Sequence, residues 1–351
     1  MIPVGHLTRL GFRKGTTWGT PVQCGAGHGL PFLEEDLPAS ASLLDFRSLV
    51  GLASGRASAP GPRLVEGRVP LQLHYQGLDL VLALAFGTAG APAQQGGTAA
   101  YLHTLTPKKS LVGRFATAAF GKQIDTWEYD SVKVEAIEIQ SRPGEGAVMG
   151  VHLVGRGPNR NVGSGTNNNT TAATITLPTM GPRVLFSDMA FRVNGEGDAA
   201  LDDDDLVHVS ELTLRIANKL DTGTITTTSH PFVKEPERTA PLDVALELSF
   251  SRYASGLEFL IDRGISKAPQ KATLTFTGPV AATPYNYSMT FYFPRLVAGE
   301  TTAQVRGPGR VPQSVPLRGY GRTAAPSGFP AVMTEAACLE VVNLLSADPL
   351  A

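Results

Sequence analysis

Two stretches of the chain alternate apolar and polar residues in the same way and then run into the same kind of segment. Val69, Leu71, Leu73 and Tyr75 alternate with Pro70, Gln72 and His74; Val244, Leu246, Leu248 and Phe250 alternate with Ala245, Glu247 and Ser249. Period two with one apolar face predicts a half-buried strand. A glycine follows in each case, Gly77 or Gly256, and opens a dense apolar run, Leu78–Phe86 or Leu257–Ile261, closed by Gly87 or Gly264. A short helix stopped by a glycine fits both runs. The strand–helix unit therefore occurs twice.

Three further strands are expected after each unit, at 113–120, 131–140 and 148–155 in the first half and at 271–277, 287–296 and 312–320 in the second. In VKVEAIEIQ (132–140), Val132 and Val134 alternate with Lys133 and Glu135, and the alternation then slips at Ala136–Ile137, as at a bulge. Before the units, LPFLEEDL (30–37) reads as a strand or an arm, and ELTLRIANKL (211–220) as a strand with Leu212, Leu214 and Ile216 on one face. Stretches 51–63, 87–100 and 155–170 carry turn residues and no apolar period, so they read as loops. The expected organisation is a duplicated one: a first domain at 1–165 with an amino-terminal arm, a linker at 166–180, and a second domain at 181–351 with a carboxyl-terminal tail.

Composition supports a β-rich chain. Thirty-eight glycines, 26 prolines and only 7% aromatic residues in 351 suit many short strands and tight turns. A net charge of −1 with 17% charged residues excludes a polycationic coat for nucleic acid or a polybasic membrane anchor, and leaves little self-repulsion to oppose association. The longest apolar run falls short of the ~20 residues of a membrane span. Cys24 and Cys338 lie near opposite ends with no CxxC spacing and no visible secretory leader, so a reducing compartment and no disulfide framework are expected.

No catalytic or metal pattern emerges. The seven histidines have no i, i+4 pair, Asp202–Asp205 lacks the spaced oxygens and closing Glu of an EF-hand loop, and no glycine-rich turn sits between a strand and a helix ending in Lys-Ser/Thr. A structural protein is expected, with no enzyme activity and no cofactor.

Several words in order resemble one family. GTTWGTPV (15–22) with GLPFLEEDL (29–37) is similar to the amino-terminal strip of the major tail tube proteins of long-tailed bacteriophages. EGRVPLQLHYQGLDLVLALAFG (66–87) resembles that family's strand-plus-helix signature, and 125–157 its following strands; 209–220 and 235–250 fit the second half of the pattern. The resemblance implies a mainly β fold: two tandem tail-tube-type β-sandwich domains, each with a short flanking α-helix, their sheets joining into a lumen-lining β-barrel in the ring. It implies homotrimeric, pseudo-hexameric rings stacked into a tube for double-stranded DNA ejection, located in the virion tail and assembled in the host bacterial cytoplasm. Further partners would be the tape measure protein, the tail terminator and distal tail proteins, with no membrane. The lumen of such a tube should be polar or acidic, because a lysine- and arginine-rich wall would hold phosphates and stall the DNA. Lys133, Glu135, Glu138 and Glu247 are the candidate lumen residues. Trp18, Phe32, Arg63, Asn167 and Asn168 are the candidates for ring stacking or subunit contact. The alternative is a β-sandwich virion decoration or adhesin protein, for which two tryptophans give little aromatic platform.

Overall fold

The computed structural model describes residues 4–38, 43–46, 57–61, 63–160, 170–223, 232–254, 256–305 and 307–351. The strands in chain order are β1 (Arg9–Lys14), β2 (Gly29–Leu30), β3 (Leu43–Phe46), β4 (Ala57–Pro60), β5 (Val65–Gln72), β6 (Ala93–Gln94), β7 (Tyr101–Leu105), β8 (Ala116–Gly121), β9 (Thr126–Ser141), β10 (Val148–Gly155), β11 (Pro158–Arg160), β12 (Met189–Gly195), β13 (Leu206–Val207), β14 (Glu211–Ala217), β15 (Asp243–Phe250), β16 (Gln270–Ala282), β17 (Tyr285–Ala298), β18 (Gln313–Tyr320) and β19 (Cys338–Asn343). The helices are α1 (Asp79–Phe86) and α2 (Glu258–Ser266). The fold is mainly β, and every pairing between these strands is antiparallel.

The same succession of pairings occurs twice. β1 pairs with β2 and β8, β8 with β9, β9 with β10, and β10 with β5. In the second half β12 pairs with β13 and β16, β16 with β17, β17 with β18, and β18 with β15. The two helices begin alike as well. Gly77 and Gly256 sit at φ +98° and +91°, a region that favours glycine, and each amide donates to the acid two residues on, Asp79 or Glu258. That acid lies in the first helical turn, where negative charge faces the positive end of the helix.

α2 does not stop at Gly264 as its sequence predicts. It runs through that glycine to Ser266, and Lys267 closes it at φ +55°. Gly264 serves a close approach instead, since a Cβ there would lie 2.6 Å from Thr301 Oγ1.

β9 is long because it belongs to two layers. Its first part, from Thr126 to Val132, pairs with β8, and its last part, to Gln140, pairs with β10. Between them Leu153 faces Val134 while His152 faces Ala136, so Glu135 is the extra residue of a bulge, adjacent to the slip in the sequence. A bulge bends its strand, which lets one chain segment leave one layer and enter the other. β17 does the same in the second half, with irregular register against β16 and its last residues on β18. Between the layers lies one apolar core that includes Val69, Leu71, Ile137, Ile139, Leu214, Leu246, Phe120 and Phe291.

Two expectations about the ends of the halves need correction. In the expected linker at 166–180, the described residues 170–180 are bonded to the first half: Cys24 N donates to Thr170 Oγ1, Gly29 N to Thr176 O and Gln76 Nε2 to Thr179 O. The carboxyl-terminal stretch is not a tail, because β19 pairs with β17 on one side and with β7 of the first half on the other, burying Leu339 and Val341.

Candidate assembly interface

The two halves share one inner sheet. β14 of the second half pairs with the last part of β9 from the first, Leu214 opposite Ile139 and Arg215 opposite Glu138. Across the chain the inner order is β5, β10, β9, β14, β15, β18 and the end of β17. Residues 32–36 extend it beyond β5, with Phe32 bridged to Leu71 and Asp36 to Arg68. The sheet thus ends in two borders, residues 31–37 at one side and 297–302 at the other, since Leu296 still faces Gln270 of β16.

The join between halves is reinforced by polar groups. Asn218, at the end of β14, gives its amide N–H to Glu135 O at 2.7 Å and its side-chain amide to Ala85 O and Val134 O at 2.9 and 3.0 Å. One side chain therefore ties α1, β9 and β14 together. Arg238 donates to Lys108 O at 2.6 Å and also to Asn218 Oδ1. Lys133 is only 1% exposed; its amine reaches Glu235 at 2.8 Å and donates to Leu111 O and Pro236 O. Burial pulls the Lys133 pKa down while the Glu235 carboxylate opposes the shift. Lys133 faces no open surface, so its assignment to the lumen does not hold: the loop around 235–236 covers it.

The other lumen candidates are accessible. Glu138 and Glu247 stand on the sheet face away from the core, Glu138 with Arg68 at 3.3 Å and Glu247 accepting from Ser314 Oγ. Glu135, at the bulge, is half-buried and accepts from Leu220 N, and burial raises its pKa. The open face also presents Glu66, Glu211 and Asp243, set against Arg68, Arg215 and Arg318. Their mutual proximity shows at His152, whose charged neighbours are Glu138, Arg215, Arg68 and Glu66, although burial dominates and lowers its pKa. Glu211 also pairs with Arg142 at 2.6 Å and Asp243 with Lys219 at 2.9 Å, so acids and bases interleave on this face.

Trp18 and Arg63 both contact the segment at 232–233. Trp18 Nε1 donates to Val233 O at 3.2 Å and its ring packs edge-on to Phe115, while Arg63 bridges to Phe232 and lies over its ring with Arg156. Phe32 is elsewhere, on the 31–37 border, edge-on to Phe120. Asn167 and Asn168 lie outside the described residues. Asn218 and Lys267 escaped the sequence reading. Asn218 had a signal, a polar residue directly after an apolar strand face, whereas Lys267 had none.

Cys24 and Cys338 are both buried and free, and burial pushes each thiol up to about 12. The acidic run closes on itself in a turn: Asp202 accepts from Asp204 N, Asp205 from Asp202 N, and Asp203 pairs with Arg192 at 2.7 Å. Among the described residues no group of three His, Cys, Asp or Glu is placed to hold a metal ion. Among them too, no helix is long and apolar enough to cross a membrane.

A comparison with curated proteins finds no match. A family model described as phage tail tube protein matches residues 5–319, most of the chain. A duplicated antiparallel fold whose halves already join through their inner sheets agrees with that match, and the chain belongs to the phage tail tube protein family.

Proposed function

We propose that three copies of this tail tube protein close into a ring, that rings stack into the tube, and that the open polar face of the inner sheet lines a channel for double-stranded DNA. The observation that supports this most is the β9–β14 join, a ready-made example of one domain's sheet continuing into the next. An unpaired sheet border invites association, and a closed ring leaves none. The two domains are taken to divide near residue 185, each giving four strand segments to the inner sheet. Three chains then make a barrel roughly 45–50 Å across between backbone centres, from strand spacing and a tilt of 35–45°. A duplex about 20 Å wide passes through that opening with side chains and water to spare.

Glu138, Glu211 and Asp243 pair with Arg68, Arg142 and Lys219 on this face, so its basic groups are partly neutralised and hold phosphates less strongly. Trp18 and Arg63, with the 232–233 segment they touch, are the contacts this reading assigns to ring stacking. The tape measure protein within the tube, the tail terminator and the distal tail proteins are the further partners this reading implies. The decoration or adhesin alternative has no observation in its favour. Electron microscopy of the purified protein tests the proposal: rings or tubes with a three-fold or pseudo-six-fold end view are expected, and monomers at every salt and protein concentration would overturn it.

A further inference from the structure

The internal join can be projected onto the two free borders. Val244 stands opposite Gly319, and Gly319 opposite Leu296; in the first half Val69 stands opposite Val151, and Val151 opposite Ile137. Leu296 therefore occupies the place of Ile137, and Ala298 that of Ile139. By the same logic Phe32 faces Leu71 as Leu214 faces Leu246, so Phe32 occupies the place of Leu214. Leu214 pairs with Ile139 within the chain. The matching pair between chains is Phe32 with Ala298, and beside it Leu33 with Val297.

Backbone directions agree. Leu33 N donates inward to Pro70 O at 2.8 Å, so the peptide groups of Phe32 point out of the sheet. Gly299 N donates inward to Pro316 O at 2.7 Å, so those of Ala298 point out as well. Leu33 is 52% exposed, and a leucine on an otherwise polar face acquires a partner when Val297 of another copy arrives. Val4 and Ile124, also exposed, line the same cleft as Phe32 and Leu33. The far border carries exposed Ile265 beside Lys267.

That far border is not bare. Lys267 Nζ donates to Ala298 O at 3.0 Å and to Gly299 O at 2.9 Å, occupying a carbonyl the projected pairing needs. The equivalent helix end in the first half is Gly87, which has no side chain to do this. A lysine on a sheet edge discourages pairing, because its charge must be moved and rehydrated before a strand can dock.

We propose that residues 297–299, just beyond the Gln270–Leu296 pair, receive residues 31–33 of a second copy in the β9–β14 register, and that Lys267 guards this border until that copy displaces it. The inference rests on the ring reading and adds its register and its brake. Cysteines at Leu33 and Val297 test the register, since non-hydrogen-bonded antiparallel neighbours lie about 4.5 Å apart at Cα. Under oxidation the L33C/V297C protein should yield covalent trimers from assembled material, and the L33C/R295C control should not. Wild-type tubes together with a control that cross-links as well as or better than the test pair would overturn the register and leave the ring standing. Absence of any wild-type assembly would remove both.

Lys267→Gly tests the brake, because glycine accepts the positive φ and matches Gly87. Light scattering should show assembly several-fold faster, with an unchanged melting temperature and the same tubes. An unchanged or slower rate at unchanged melting temperature would overturn the guard.

Discussion

α1 and α2 start with the same glycine, the same leucine and an acid in the same place, yet they live in different surroundings. In α1 every residue from Val81 to Phe86 is buried, whereas in α2 only Leu260 and Gly264 are, and Ile265 is 77% exposed. The difference follows from what comes next in the chain. After α1 a long insertion carries β6 and β7, sends Lys108 N back to Phe86 O, and reaches the second half through β19. After α2 the chain passes within four residues to β16. The compositions match: DLVLALAF is apolar all round, as a helix enclosed on every side must be, while EFLIDRGIS keeps a polar face. One helix thus belongs to a junction closed within the molecule, and the other borders a junction that is still open.

Substitutions at the closed junction should act on folding, and those at the open one on assembly. The largest effect is expected from Lys133→Ala, which removes the ion partner of Glu235 and the donor to the Leu111 and Pro236 carbonyls; urea unfolding of the unassembled protein should show a loss of about 3 kcal/mol. Next comes Leu82→Ala in α1, a core truncation worth about 2–5 kcal/mol. Its counterpart Ile265→Ala in α2 should stay within about 0.5 kcal/mol of wild type. Equal losses for Leu82 and Ile265 would break the comparison. Asn218→Ala should cost about 1–3 kcal/mol, since it leaves buried Ala85 O and Val134 O without a donor.

A further effect sharpens the picture through pH. Burial raises the pKa of Asp130 to about 6, against the opposing pull of Arg156. The folded state thus holds this proton more tightly than the unfolded chain, whose carboxyl titrates near 4. Stability from this group is present below the unfolded value and is lost as pH rises through about 6. Asp130→Asn should therefore gain in melting temperature relative to wild type between pH 4 and 7, and a gap that shrinks over that range would contradict the assignment.

Features set by short-range pattern were legible in the sequence. The alternation of Val69 to Tyr75 and of Val244 to Phe250 predicted which side chains are buried, and the slip in VKVEAIEIQ marked the bulge to within a residue. What long-range packing decides was not. Lys133 occupies a polar phase of its strand, and nothing near it in sequence announces that the loop at 235–236 will cover it. Gly264 carried two meanings, a helix stop or a place of close approach, and only Thr301 distinguishes them. In CLEVVN the apolar Leu339 and Val341 do alternate with Glu340 and Val342, but six residues near a chain end gave too short a run to separate a strand from a tail. Leu33 and Lys267 acquire a meaning only once the borders of the sheet are known.

β9 and β17 each cross from the outer layer to the inner one without a break in the covalent chain. In a tube built as proposed, any load that parts the two layers pulls along those crossings, so peptide bonds carry part of what would otherwise fall on side-chain contacts alone. A wall of such copies would be laced as well as glued, by two continuous strands per molecule.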